Sequence, residues 1–208
     1  MKTRKLRKFL MLLASALLLV SVTVGATVAY LTDKTEVVTN TFSVGNVALS
    51  LDETDVDLYG VKDSETRVTE NAYKLIPGHT YTKDPTVHVA AGSEEGYLFV
   101  KVVDEIVNIQ DDTTIAAQMA ANGWTALPAI EGVDVSNIYY HNTKVNAQTE
   151  AKDIKVFETF KIKGNVDVAG YAGKTITVQA YMVQADGFAD APAAYKAAPC
   201  TWGKDAAQ

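Results

Sequence analysis

The sequence predicts a mainly β protein: an antiparallel β-sandwich with one or two short helices, preceded by a helical signal peptide. Three observations predict it. Alternating apolar and polar runs recur six or more times, each bounded by Gly, Pro, Asn or Asp. Only two stretches have helical spacing, and no βαβ alternation, fixed-period repeat or low-complexity tract appears. The first 29 residues have the three-part composition of an export signal.

That signal opens with Lys2, Arg4, Lys5, Arg7 and Lys8, runs through a nearly unbroken apolar stretch over residues 9–20, and ends in the small residues Gly25, Ala26 and Ala29. Cleavage after Ala29, with Thr27 at −3, makes Tyr30 the first mature residue. A cut after Ala26, with Val24 at −3, is the alternative junction. An uncleaved anchor is the other alternative, since about 20 apolar residues span a bilayer. Against it, Ser21, Thr23, Gly25 and Thr27 dilute the segment's second half. The expected organisation is a signal peptide over 1–29 and one secreted domain over 30–208. Cleavage leaves 179 of 208 residues and 14 basic against 25 acidic ones, taking the formal net charge from −6 to −11. Such a domain repels nucleic acid and anionic lipid, so membrane contact is expected only through an uncleaved signal. Cys200 is the only cysteine, so no intrachain disulfide forms and burial must supply the core. It is either an incidental thiol or a link between chains.

In chain order, Tyr30, Leu31, Val37, Val38 and Phe42 punctuate an extended, threonine-rich stretch. Phe42 and Val44 share one parity, and Val47, Leu49 and Leu51 take the other after a break at Gly45–Asn46, which reads as a strand, a bulge and a strand. Asp52, Glu53, Asp55 and Asp57 read as a solvated turn; calcium is the alternative, although the EF-hand spacing is missing. Pro77–Gly78 fits the two central positions of a type II turn. Pro85 suits the start of a strand carrying Val87 and Val89. Residues 92–96 read as a turn. Residues 97–103 form a strand with Leu98, Val100 and Val102 on one face and Tyr97, Phe99 and Lys101 on the other. Asp112 or Thr113 is expected to cap a helix containing Ile115, Ala116 and Met119, closed by Asn122–Gly123. Trp124 then folds back onto the sheet. Residues 138–141 and 154–162 read as strands, with Glu158 an inward exception in the second. Residues 164–173 form a loop. Residues 175–184 are the cleanest strand, with Ile176, Val178, Ala180 and Met182 on one face. Residues 190–197 form a short helix with Pro192 in its first turn.

Three motifs carry a family resemblance. Ala29 is followed by Tyr30-Leu31-Thr32-Asp33 and then Asn40-Thr41-Phe42-Ser43-Val44-Gly45; Leu75-x-Pro77-Gly78 leads to Thr82-Lys83-Asp84; and residues 176–188 form the ending. Together they resemble the TasA/camelysin-like secreted proteins, whose signals are cut by an ER-type (SipW) signal peptidase in Gram-positive bacteria. The resemblance implies a jelly-roll-like sandwich, that peptidase as processing partner, and a cell-surface or biofilm-matrix location. It also implies self-association into fibres, alone or with related matrix proteins. In that scheme Tyr30, Leu31, Val37, Val38 and Phe42 belong to a strand donated to the next subunit; packing in cis is the alternative. The physical basis is strand addition, in which a sheet edge offers backbone partners and pockets take alternate side chains.

The resemblance also brings a metallo-endopeptidase reading. Zinc peptidases use paired histidines one helical turn apart with a glutamate base. His79, His88 and His141 are isolated in the sequence, and none falls in an expected helix. No nucleophile elbow or phosphate-binding glycine loop is present. The expected function is therefore structural and non-enzymatic, with no catalytic, cofactor or metal residues. A surface adhesin using the loops at 52–57 or 164–173 is a third alternative.

Overall fold

The computed structural model describes residues 46–111 and 114–202, all within the second of two compact units, 1–43 and 44–208. The signal peptide, Thr27, Ala29, and Tyr30, Leu31, Val37, Val38 and Phe42 lie outside the described residues.

Eleven strands appear among the described residues: β1 (Leu49–Val56), β2 (Lys62–Val68), β3 (Thr80–Thr82), β4 (Thr86–Val89), β5 (Ser93–Asp104), β6 (Trp124–Ala126), β7 (Ile138–His141), β8 (Val145–Ala147), β9 (Lys152–Lys155), β10 (Thr159–Lys161) and β11 (Ile176–Gln184). Two helices, α1 (Ile115–Ala121) and α2 (Ala191–Ala197), complete the set. Every strand pair is antiparallel. One sheet has the order β2-β1-β4-β9, a second β11-β5-β7-β6 with β8 also on β5, and β10-β3 form a small ribbon. Val87 and Val89 of the first sheet, Leu98, Val100, Val102 and Met182 of the second, and Tyr81 and Phe160 of the ribbon share one buried cluster. This is the expected antiparallel β-sandwich, compatible with a jelly-roll arrangement.

The parity read in residues 97–103 holds, but both faces are buried. Tyr97 and Phe99 pack into a second cluster with Ala191, Ala194 and Tyr195 of α2. The C-terminal segment therefore covers the outer face of the second sheet as a third layer. Asp190 caps α2 by accepting from Ala193 N at 2.8 Å, with Pro192 in the first turn as expected. Gly96 permits the β5–β11 approach: a Cβ there would lie 2.6 Å from the Val183 carbonyl oxygen.

Residues 154–162 are not one strand. β9 pairs with β4, whereas β10 pairs with β3. Between them Val156 and Phe157 are both fully buried, which breaks the alternation and leaves Glu158 exposed rather than inward. The α1 region satisfies the backbone at this break. Gln118 Oε1 accepts from Glu158 N and Thr159 N, both at 3.1 Å, and its Nε2 donates to Thr159 O at 2.7 Å. Trp124, buried as expected, donates to Lys155 O at 2.9 Å.

Other expectations shift. Thr114 caps α1, accepting from Ala117 N at 3.2 Å; Asp112 and Thr113 lie outside the described residues. The turn before β5 is confined to residues 91–92, because Ser93–Gly96 already pair with β8 and β11. Asp52, Glu53 and Asp55 belong to β1, and only Asp57 sits in a turn. β2 and β8 were not anticipated: β2 is an edge strand of mostly exposed polar side chains, which leaves no apolar alternation to read. The Pro77–Gly78 turn forms as expected, with Gly78 at φ +80° and His79 N donating to Ile76 O at 3.1 Å.

Candidate functional site

β11 lies at one end of the second sheet. It pairs with β5 along its whole length, from Ile176↔Asp104 to Gln184↔Gly96, and among the described residues no strand pairs with its other side. Its start is fastened by Glu105, whose carboxylate accepts from Thr175 N at 2.8 Å, Thr175 Oγ1 at 3.0 Å and Lys174 Nζ at 3.2 Å. The bond from the Thr175 amide, followed by those from the Thr175 hydroxyl and Lys174, holds that carboxyl below its ordinary range.

A cavity of about 680 Å3 opens beside this start, between residues 69–75 on one side and residues 168–178 on the other. Ile106, Phe160 and Val178 give it apolar surface, and Tyr73 and Tyr171 stand in its walls. Glu53, only 4% exposed, faces it from β1. Its Oε2 accepts from Lys83 Nζ at 2.6 Å and its Oε1 from Asn71 Nδ2 at 3.0 Å. Asn71 also donates to Thr54 O at 2.8 Å and accepts from Val56 N at 3.0 Å, so the loop after β2 is tied to β1. Tyr73 donates to Thr82 O at 3.0 Å. Burial first, then the charges of Glu53 and Asp84, push its phenol far above the usual range, so it remains a proton donor at any physiological pH. The cavity combines apolar bulk, two phenol rings and one buried ionic network.

The acidic residues once expected in a turn are distributed by the pleat of β1. Asp52 lies on the outer face with Arg67 and His88; Glu53 lies inside with Lys83; Asp55 accepts from Ser64 Oγ at 2.7 Å. Asp57 accepts from Tyr59 N and Val61 N, both at 2.9 Å. Among the described residues no group of three or more His, Cys, Asp or Glu side chains is placed to hold a metal ion. The three histidines serve different strands. His79 Nε2 meets Tyr59 O at 2.8 Å, His141 Nδ1 meets Thr143 O at 3.0 Å, and His88 is clamped between carboxylates. Cys200 is half-buried near Lys101 and Trp202, and burial raises its thiol pKa.

Glu53 and Lys83 carry the polar chemistry of the groove, and neither was singled out for it. The signal was present: Val47, Leu49 and Leu51 set an inward parity that Glu53 continues, once the strand is extended through the acidic run.

His88 links the outer face of the first sheet. Its Nε2 lies 2.8 Å from Asp52 Oδ1 and its Nδ1 2.7 Å from Asp153 Oδ1, while Arg67 of β2 also binds Asp52. Burial lowers the His88 pKa, but hydrogen bonds and charge from Asp52 and Asp153 outweigh it, so the net shift is upward from 6.5. Its contribution is therefore fully present below pH 6.5 and lost as pH rises through the higher folded value. Asp52 titrates the other way. Burial raises its pKa, but hydrogen bonds from Arg67 and His88 carry it below 3.8, so its contribution is lost as acid passes the folded value. His88→Asn is expected to cost on the order of 1 kcal/mol near pH 5.5 and much less near pH 9. Thermal melts across that range check it, and a pH-independent difference would contradict the clamp.

Residues 5–76, about a third of the chain, match the family model described as camelysin metallo-endopeptidase. The TasA/camelysin-like resemblance read from the junction motifs is thus borne out over that part. The matched stretch contains residues 30–42 and also Glu53, Asn71 and Tyr73 of the groove. No curated protein and no solved structure matches the chain.

Proposed function

We propose that this chain, TasA/camelysin-like over its first third, is an exported structural subunit of the extracellular matrix. An ER-type signal peptidase cuts it after Ala29, and the freed residues 30–42 add as a strand to the β11 edge of a neighbouring copy. Its activity is polymerisation without covalent chemistry. The observation that supports this reading is the cavity beside the start of β11, a strand that ends its sheet among the described residues.

N-terminal sequencing of the exported protein followed by electron microscopy of the same sample tests it. The expected result is a chain beginning at Tyr30 that forms filaments, and loss of filaments on deleting residues 30–42. A protein that stays monomeric at high concentration and neutral pH would count decisively against it.

The family description supplies a second reading, a cell-surface metallo-endopeptidase. Stoichiometric zinc together with chelator-sensitive proteolysis would replace the first reading with this one.

A further inference from the structure

We propose that Lys83 and Asn71 join in an intramolecular isopeptide bond, the Lys83 amine displacing ammonia from the Asn71 side-chain amide with Glu53 as the proton carrier. The bond lies within one subunit and forms whether or not subunits assemble.

Three reactive groups meet at one largely buried point. Glu53 Oε2 accepts from Lys83 Nζ at 2.6 Å, and Glu53 Oε1 accepts from Asn71 Nδ2 at 3.0 Å. Nucleophile and leaving nitrogen are thus held on the two oxygens of a single carboxylate, each within hydrogen-bond reach for proton transfer. The Lys83 and Glu53 side chains are only 11% and 6% exposed, and the Tyr73 ring centroid lies 5.8 Å from Lys83 Nζ.

The orientation of the amide is set by its partners. Nδ2 also donates to Thr54 O at 2.8 Å, and Oδ1 accepts from Val56 N at 3.0 Å. The β1–β2 register shifts between Thr54 and Val56, so the irregularity falls where β1 gives its backbone groups to Asn71. Negative charge develops on Oδ1 when an amine adds to the amide carbon, and the Val56 N–H already points at that oxygen. Tying a loop to a strand takes hydrogen bonds alone. It does not take a primary amine and a carboxylate, both buried, brought to the same amide.

The Lys83 ammonium passes one proton to Glu53, which leaves Nζ with a free electron pair. Nζ adds to Asn71 Cγ, forming the new C–N bond and placing the charge on Oδ1. A second Nζ proton passes through the Glu53 carboxyl group to Nδ2. The Cγ–Nδ2 bond then breaks, and ammonia departs into the adjoining cavity of about 680 Å3. The products are a secondary amide, ammonia and a neutral Glu53 acid, so no outside reactant is needed. A buried ion pair gives way to neutral groups, which removes desolvated charge from the interior. The amide closes a ring over residues 71–83, fastening the loop after β2 to the residue after β3 across the Pro77–Gly78 turn.

Mass spectrometry of the folded protein, with its N-terminus sequenced, tests this. The expected mass is that of the chain less one ammonia. Trypsin is expected to release residues 68–74 joined to residues 75–101 as one branched peptide, because acylated Lys83 resists cleavage while Lys74 does not. Glu53→Gln, which keeps nucleophile and amide, is expected to retain the full mass. Lys83→Arg is expected to do the same, since a guanidinium does not displace the amide nitrogen. Should both variants misfold, the parent still decides: isolated unfolded in denaturant, it is expected to carry the full mass and to lose ammonia only on refolding. A folded parent at full mass would overturn the proposal. So would an ammonia loss that maps to Asn122–Gly123 instead of the branched peptide, or equal closure in Glu53→Gln.

Discussion

Tyr81→Ala is expected to destabilise the domain by about 3–5 kcal/mol, the range for deleting a large buried aromatic side chain. Tyr81 has no exposed surface, stacks on Phe160 at 4.8 Å between ring centroids, and meets Tyr73 edge-on at 5.7 Å. Tyr73 in turn meets Phe160 edge-on at 5.2 Å, so the three rings form one cluster beneath the groove. The Tyr81 hydroxyl accepts from Ile76 N at 2.7 Å and donates to Lys74 O at 2.5 Å, fastening the segment before the Pro77–Gly78 turn. Tyr81→Phe separates the contributions. It keeps the ring but orphans the Ile76 amide, for an expected cost of about 1–3 kcal/mol. Denaturant midpoints at constant slope measure both. A Tyr81→Phe variant as stable as wild type would mean that water serves Ile76 and Lys74 equally well.

Lys83→Met is expected to cost about 3 kcal/mol, because it leaves the Glu53 carboxylate buried without its counter-charge. The value sits at the low end of the range for broken buried pairs, since Lys83 retains 11% exposure. The double variant Glu53→Leu/Lys83→Met removes both charges and is expected to recover most of that loss. Equilibrium unfolding of the two single variants and the double variant gives the coupling energy. Near-additive losses would place the pair in solvent-like surroundings and remove the polar element of the groove.

Legibility in the sequence followed how strongly burial was imposed on one face. The face formed by Leu98, Val100 and Val102 was readable, as were Val87 with Val89 and the Ile176-to-Met182 series. In each, the side chains of one parity enter the sandwich core and the period of two survives. Residues 154–162 misled because Val156 and Phe157 are buried in succession where the chain leaves one sheet for another. β2 escaped because an exposed edge strand needs no apolar residues. The cap at Thr114 was missed by one or two residues, as three adjacent side chains could each have supplied it. The groove itself could not be read. Glu53, Lys83, Tyr171 and Val178 are distant in the chain, and only the pairing of β1 with β4 and of β11 with β5 brings them to one cavity. The histidines gave the opposite lesson. Their separation in sequence persists in space, where three different strands or turns use them.

One consequence follows from β5 being buried on both sides. The sandwich interior and the layer under α2 look like separate stores of stability, yet β5 serves both, sending Leu98 and Val100 into the first and Phe99 into the second. Neither cluster can come apart without exposing a strand on which the other depends. The C-terminal layer therefore does not behave as an appendage that frays before the rest. It is expected to share the melting transition of the sandwich, with the domain unfolding as a single cooperative unit in a calorimetric scan.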